Sequence, residues 1–366
     1  MRAAVYHGRG DIRIENVADP VPGRGDVLLE VRSTGICGTD ASEYKAGPFL
    51  YPIAERHPVS GHVGPMIPGH ELAGTVVATG TGVHGFRVGQ LVVSGAGISC
   101  GHCAFCRDGQ TNLCATYSTV GLQRNGGLAE YCAVPASTCI AVDHLGLGAD
   151  TAALAQPMSV AVHSMRQGAP QAGDDVVVVG AGGVGVFLAF ALVRLGTKVQ
   201  VVDMRGDRLE VARQLGVDNV LRATDPARLA DELMGSRSEQ PRIVYEVTGS
   251  ASALHAAITM ARRGGTVVAV GLHNAPREVD MLSVTLRELT VVGTMAHVYG
   301  RDLPTALDLL AVREDPWSDV APEVIGLDEL VPRGIMPLVD GTGPHIKTLV
   351  DPHARTTRTA AHGGPR

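Results

Sequence analysis

Four cysteines, Cys100, Cys103, Cys106 and Cys114, stand in the stretch SCGHCAFCRDGQTNLC with the spacing C-x2-C-x2-C-x7-C. Zinc takes four thiolates in a tetrahedron, and gaps of two residues let one loop wrap the ion. Four thiolates leave no open position, so such a site pins a loop and does no chemistry. Two disulfides or an iron–sulfur cluster are the alternatives for the same residues. Nothing else in the chain reads as secreted, and reducing compartments keep thiols free, which favours zinc. Cys132 and Cys139, in EYCAVPASTCI, read instead as buried strand residues.

A second pattern has the chemistry of phosphate binding. GAGGVG, Gly180 to Gly185, fits G-x-G-x-x-G, follows the apolar run VVVV and opens a helical segment. In that context Gly180 permits the tight turn, and Gly182 lets a pyrophosphate approach backbone N–H groups at a helix N-terminus. Gly185 lets the helix lie close on the strand, and Gly183 and Val184 complete the turn. Asp203 ends the next strand-like run, KVQVVD, and its carboxylate can accept both hydroxyls of an adenosine ribose. It would repel a 2′-phosphate, so NAD(H) is expected over NADP(H). Arg208 can lie over the same ribose, while Arg205 is the one nearby cation that argues for the phosphate.

A third set is sparser. Cys37 lies in TGICGTD and His70 in PGHELAG, each in a glycine-flanked loop after a strand-like run. A thiolate and an imidazole suit a catalytic zinc, which takes three protein ligands and keeps one position open. Glu71 adjoins His70 and can ligate or stand behind the ligands. Asp40 can take a hydrogen bond from the far nitrogen of His70.

These residues need two kinds of scaffold. Up to about residue 155 the chain reads as short strands between Gly and Pro turns, such as DVLLEVRSTGIC, ELAGTVVATG and QLVVSGAG. From about Asp174 strands alternate with helices: DDVVVVG, then GVGVFLAFALVRLG, KVQVVD, DRLEVARQLG, RIVYEVTG, a helix from Ala251, and GGTVVAVGL. That order implies an α/β, doubly wound parallel sheet. After Met295 come a helix, DLPTALDLLAV, and a strand in IKTLVDP, both expected to rejoin the first module. Residues 353–366 lack periodic apolar positions and are expected to form a disordered tail. At 366 residues with 45% hydrophobic and 19% charged residues, the chain suits a two-domain enzyme. A net charge of −6 without a basic block argues against nucleic acid. The N-terminal run lacks a signal-peptide core, and apolar stretches are interrupted by glycines, so a cytoplasmic protein without a membrane span is expected.

Taken together, GICGTD, GHE, the four-cysteine lobe, the GAGGVG turn with Asp203 and the closing IKTLV resemble the zinc-dependent medium-chain alcohol dehydrogenases. The match covers residues 1 to 352, and CGTDASEY, GPF, HP and PGHE are most similar to the butanediol and polyol branch. The resemblance implies a GroES-like β-rich catalytic domain at 1–155, completed by 296–352, and a Rossmann domain at 156–295. It implies two zinc ions per chain, one catalytic near Cys37 and His70 and one structural on the four-cysteine lobe. It also implies NAD as cofactor, a homodimer or homotetramer, and a secondary alcohol or ketone as small-molecule partner, often a vicinal diol. Thr39 takes the place of the family's relay hydroxyl.

Two positions depart from the family. Gln156, in LAQPMSVAVH, stands where the polyol branch usually has a Glu ligand. Zinc with the Cys37 thiolate, neutral His70 and Gln156 carries a net charge of +1, whereas a Glu would bring it to zero. The rival arrangement has Glu71 as the third ligand and Gln156 lining the pocket. Ser42 replaces a His that passes the proton outward in many relatives. Serine cannot store a proton near neutrality, which leaves water, His57 or His62 for that step. Tyr44, Phe49, Tyr51, the neighbourhood of Tyr117 and the segment from Met295 to Tyr299 read either as a substrate wall or as core. The two departures keep open a specialised enzyme for a cyclic or sugar-like alcohol, an iminium or an alkene. A cofactor-binding protein without turnover is the reading from another class.

Overall fold

A computed structural model of the chain describes residues 1–361. It divides into two compact units, Met1–Gln156 with Val298–Arg366, and Pro157–His297. Gln156 thus falls with the first unit rather than opening the second.

The first unit is built on an eight-stranded mixed sheet. Its spatial order runs Arg358–Thr359, Glu323–Ile325, Leu349–Val350, Asp26–Gly35, Glu71–Thr79, Leu91–Ser94 and Cys139–Ala141, and Tyr131–Pro135 also pairs with Asp26–Gly35. The strand Asp26–Gly35 is the hub. It alternates inward Val27, Leu29 and Val31, all fully buried, with more exposed residues between them. The closing strand, Leu349–Val350, pairs antiparallel with it through Leu349↔Gly35 and Val350↔Thr34. The C-terminal segment therefore completes the sheet that carries Cys37.

The second unit is a six-stranded sheet in the order Asn219–Arg222, Lys198–Asp203, Asp175–Val179, Ile243–Glu246, Thr266–Ala269 and Thr290–Gly293, every pair parallel. Val176 to Val179 are buried on both faces, as expected for a central parallel strand covered by helices. Ala253, Ala256, Ala257 and Met260 of the helix Ala251–Met260 pack with Val177, Val179, Val244 and Val267. The strand order reverses beside Asp175–Val179, and ligands of such sheets bind outside the carboxyl ends of the strands at that point. Among the described residues no helix is long and apolar enough to cross a membrane.

Residues 353–361 correct the expectation of a disordered tail. Arg358–Thr359 pairs antiparallel with Glu323–Ile325. The Arg358 guanidinium donates to both oxygens of buried Asp150 at 2.6 and 3.1 Å, and the Ala361 N–H adds a third bond at 2.7 Å. Charge pairing to a distant residue orders this stretch, which apolar periodicity could not signal. Residues 362–366 of the expected tail lie outside the described residues.

Candidate functional site

Strand register brings the sparse third set together. Gly35 pairs with Glu71 across two antiparallel strands. Cys37, just past the end of one strand, therefore meets His70, just before the start of the other. The thiol of Cys37, a ring nitrogen of His70 and a carboxylate oxygen of Glu71 all lie within 4.8 Å of one another. Cys37 caps the helix Gly38–Ala46, and its N–H donates to Asp40 Oδ2 at 2.9 Å. The same helix carries Thr39, whose Oγ1 lies 3.7 Å from Cys37 Sγ. His70 is held by the bend at Gly69 (φ +97°), where a Cβ would press on the Leu128 backbone at 2.7 Å.

The electrostatics fit a cation. Burial alone would lower the pKa of His70, but the Cys37 thiolate, then Asp40 and Glu71, outweigh it and lift it to about 9. A buried imidazole driven to hold a proton marks a site with excess negative charge, which a divalent ion would satisfy.

Glu71 is tied to a residue that sequence reasoning left without a role. Lys347, of the IKTLV segment, donates from Nζ to Glu71 Oε1 at 2.6 Å and to the Ile36 carbonyl at 3.0 Å. Both side chains are buried. Burial would lower the Lys347 pKa, but Glu71 and then Cys37 raise it above the usual lysine range. The pair fits because residue 35 is glycine, where a Cβ would collide with the Glu71 carboxylate.

One expectation about neighbours is corrected, and one open alternative is decided. Asp40 Oδ1 stands 3.9 Å from His70 Nδ1, beyond hydrogen-bond reach. It accepts instead from the Tyr51 hydroxyl at 2.9 Å, leaving His70 Nδ1 buried with no hydrogen-bond partner. Tyr51 is thereby core rather than substrate wall, edge-on to Tyr6 with ring centroids 4.8 Å apart. Tyr44 packs on a core cluster with Ile36 and Leu330, so of the three aromatics at 44–51 only Phe49 is exposed. Tyr117 is half-buried, and its hydroxyl fills the space a Cβ on Gly97 would need. Met295 is exposed, and the Tyr299 hydroxyl donates to the Cys139 carbonyl at 2.6 Å. Gln156 is buried on the first turn of the helix Ala155–Gly168. Ser42 is exposed. His57 accepts the Ser60 N–H at 3.1 Å, and His62 lies 3.2 Å from the Pro65 carbonyl, so both are bound within their own loop.

The four-cysteine lobe converges as its spacing implies. The sulfurs of Cys100, Cys103, Cys106 and Cys114 all lie within 4.8 Å of one another, and none is in a disulfide. The Cys100–Cys106 and Cys103–Cys114 sulfur pairs are each 3.9 Å apart. A zinc tetrahedron with bonds of about 2.3 Å has an edge of about 3.8 Å. Backbone N–H groups point at the sulfurs, Cys103 to Cys100 at 3.3 Å and Cys100 to Cys114 at 3.2 Å. Burial would raise the Cys114 pKa, but the N–H groups of Cys100 and Thr116 and the Thr116 hydroxyl bring it down to about 6. Thiolates are the form that binds zinc.

The glycine turn is equally constrained. Gly180 has φ +111°, and a Cβ there would sit 2.8 Å from the Thr248 methyl; a Cβ on Gly185 would collide with the Gly180 carbonyl. Over Gly182, by contrast, the nearest atom to such a Cβ is Arg208 Nη1 at 3.9 Å, so that face is open. Gly183 and Val184 begin the helix Gly183–Arg194. Asp203 accepts the Ala181 N–H at 2.7 Å and the Arg205 N–H at 2.8 Å, which fixes its carboxylate beside the turn. The Arg205 guanidinium is engaged by Asp207. Arg208 Nε is buried without a hydrogen-bond partner, a donor that awaits an anionic or hydroxylated ligand.

Comparison with known proteins agrees with this geometry. A family model described as an alcohol dehydrogenase GroES-like domain matches residues 23–144, and one described as a zinc-binding dehydrogenase matches residues 183–312. The chain is 31% identical over 357 residues to an (R,R)-butanediol dehydrogenase of Neisseria gonorrhoeae, covering 96% of this chain and 100% of that one. It is similar to the crystal structure of 2R,3R-butanediol dehydrogenase from Bacillus subtilis, with a TM-score of 0.86 and 29% identity over 96% of this chain and 99% of that one. A structure from E. coli described as a short chain alcohol dehydrogenase complexed with NADH matches with a TM-score of 0.84 and 26% identity, covering 96% and 99%.

Proposed function

The chain belongs to the zinc-dependent medium-chain alcohol dehydrogenases, in the branch that holds butanediol and polyol enzymes, and we propose that its substrate is a vicinal diol or the matching hydroxyketone. It is an NAD-linked oxidoreductase acting on alcohols. The diol reading is supported by the full-length match to proteins named butanediol dehydrogenase.

The observation that carries the site assignment is the Gly35↔Glu71 register, which sets Cys37, His70 and Thr39 side by side. We assign Cys37 and His70 as two ligands of the catalytic zinc and the Gln156 amide oxygen as the third. In this reading Glu71 stands behind the ligands, supported by the Lys347 ammonium that donates to its carboxylate. Zinc, when bound, polarises the substrate oxygen, and the nicotinamide carries the hydride. Thr39 Oγ1 relays the substrate's hydroxyl proton, accepting it in oxidation as it gives up its own and running in reverse in reduction. Ser42, three residues on along the same helix, is exposed, so water takes the proton on its outward path. Gly180, Gly182, Gly183, Val184 and Gly185 receive the pyrophosphate, Asp203 binds the adenosine ribose, and Arg208 covers it. Cys100, Cys103, Cys106 and Cys114 hold the structural zinc.

Of the two edge strands of the dinucleotide-binding sheet, Asn219–Arg222 and Thr290–Gly293, the second carries exposed Val291 and follows a helix, Met281–Leu286, with Met281, Leu282 and Leu286 exposed. An edge strand presents unpaired N–H and C=O groups to another chain, and we assign this edge to a second copy of the chain in a two-fold homodimer. Steady-state assay of the zinc-loaded enzyme with NAD⁺ tests the substrate. 2,3-Butanediol is expected to give the highest kcat/KM among butanediol, sorbitol and cyclic alcohols. Turnover confined to cyclic or sugar-like alcohols would replace the diol with the specialised reading.

A further inference from the structure

The carboxyl edge of the dinucleotide-binding sheet holds a second group of charged residues, outside the glycine turn. Glu246 ends the strand Ile243–Glu246, next to Asp175–Val179 in the sheet, and its side chain is fully buried. One carboxylate oxygen, Oε1, accepts three bonds, from Thr248 N at 2.7 Å, Thr248 Oγ1 at 2.6 Å and Gly249 N at 2.8 Å. The other, Oε2, makes no hydrogen bond within the protein, and 3.3 Å away stands His273 Nε2, equally buried and equally unpartnered. Arg277 Nε approaches the far side of the ring, 3.3 Å from His273 Nδ1. A guanidinium only donates, so Nδ1 is the acceptor, which leaves Nε2, on the Glu246 side, as the ring's donor nitrogen.

These three residues tie together the two loops that leave neighbouring strands at the ligand-binding edge. The first loop, 247–249, sets the Thr248 methyl against Gly180, the first glycine of the phosphate turn. The second, 270–277, starts with Val270 and Gly271 N–H groups donating to the Glu246 carbonyl at 2.8 and 3.0 Å. The loops touch backbone to backbone, since a Cβ on Gly249 would collide with the Leu272 carbonyl and one on Gly271 with the Gly249 nitrogen. Leu272 is left 77% exposed on that edge, an apolar side chain free to meet a ligand. A dinucleotide spans the two halves of such a sheet. The glycine turn and Asp203 occupy the half given to adenosine, so the loops after Ile243–Glu246 and Thr266–Ala269 face the other nucleotide.

We propose that Glu246, His273 and Arg277 form a carboxylate–imidazole–guanidinium chain that positions these two loops to receive the nicotinamide half of the cofactor. Glu246 fixes the first loop through Oε1. His273 anchors the second loop to Glu246, and Arg277 orients the ring. The proposal rests on the NAD-linked reading and names positioning residues rather than catalytic ones.

The test uses the zinc-loaded full-length enzyme, with NADH as the whole cofactor and AMP as its adenosine half, each titrated into wild type, His273→Leu and His273→Gln. Leucine removes the donor facing Oε2, and NADH binding is expected to weaken about tenfold, with a parallel rise in KM for NAD⁺. AMP binding and the unfolding temperature are expected to stay at wild-type values. Glutamine presents an amide N–H at a reach similar to Nε2, and it is expected to restore NADH affinity to within about threefold of wild type. Unchanged NADH binding in His273→Leu would overturn the proposal. So would an equal loss of AMP and NADH, or a glutamine variant as weak as the leucine one. A wild-type enzyme that bound no NADH would remove the NAD-linked reading itself, an outcome distinct from the other three.

Discussion

Replacing Lys347 with methionine tests the buried pair behind the metal ligands. Lys347 and Glu71 are 6% and 1% exposed, and their charged atoms approach to 2.5 Å. Methionine keeps the length of the side chain but leaves the Glu71 carboxylate and the Ile36 carbonyl without their donor. Breaking a buried ion pair from one side costs about 3–5 kcal/mol, because the remaining charge is neither hydrated nor paired. In a unit of this size about 1 kcal/mol moves the melting temperature by roughly 2–4 °C, so a fall on the order of 10 °C is expected in metal-free protein. The double variant Lys347→Met/Glu71→Gln removes the stranded charge and should recover most of that loss. Zinc-loaded Lys347→Met should lose less, since the released carboxylate can turn its charge toward the ion. Calorimetric melting of wild type, both single variants and the double variant, with and without zinc, measures each term. A metal-free single variant within about 1 kcal/mol of wild type, or a double variant no better than it, would refute the reasoning.

The charge of the catalytic site gives two further expectations. Gln156→Glu should raise the kinetic pKa for alcohol oxidation, because a second anionic ligand beside Cys37 weakens the ion's pull on the substrate oxygen; a pH–rate profile with an unchanged or lower pKa would reject Gln156 as a ligand. In metal-free protein His70 holds its proton up to about pH 9, against an ordinary value of 6.5. The folded state then binds the extra proton between those limits, so this stabilisation is complete below about pH 6.5 and lost as pH rises through about 9. Zinc must displace that proton, so its affinity should rise with pH over the same range, which competition with a chelator measures.

The two dense motifs were legible because their spacing encodes contact. Cys100 to Cys114 close on one another within a single lobe, and the Gly180–Gly185 turn folds locally between a strand and its helix. The central strands were legible for the same reason, as Val176 to Val179 show by being apolar on both faces. The outer strands Asn219–Arg222 and Thr290–Gly293 escaped sequence reading, since each is half-exposed and only four residues long. Contacts made across long separations were also hidden. Lys347 lies 276 positions from Glu71, and Arg358 lies 208 from Asp150. The hydrogen bond from Tyr51 to Asp40 shows a subtler limit. An aromatic near a candidate ligand can face substrate or core, and only its hydrogen-bond partner decides.

Metal content measured beside turnover tests the central claim most directly. Wild-type enzyme should contain about two zinc ions per chain, and Cys37→Ala about one, with its fold intact and alcohol oxidation abolished. Cys103→Ala should lose the other ion and melt at lower temperature. A Cys37→Ala enzyme that kept both ions, or oxidised alcohol at the wild-type rate, would contradict the account.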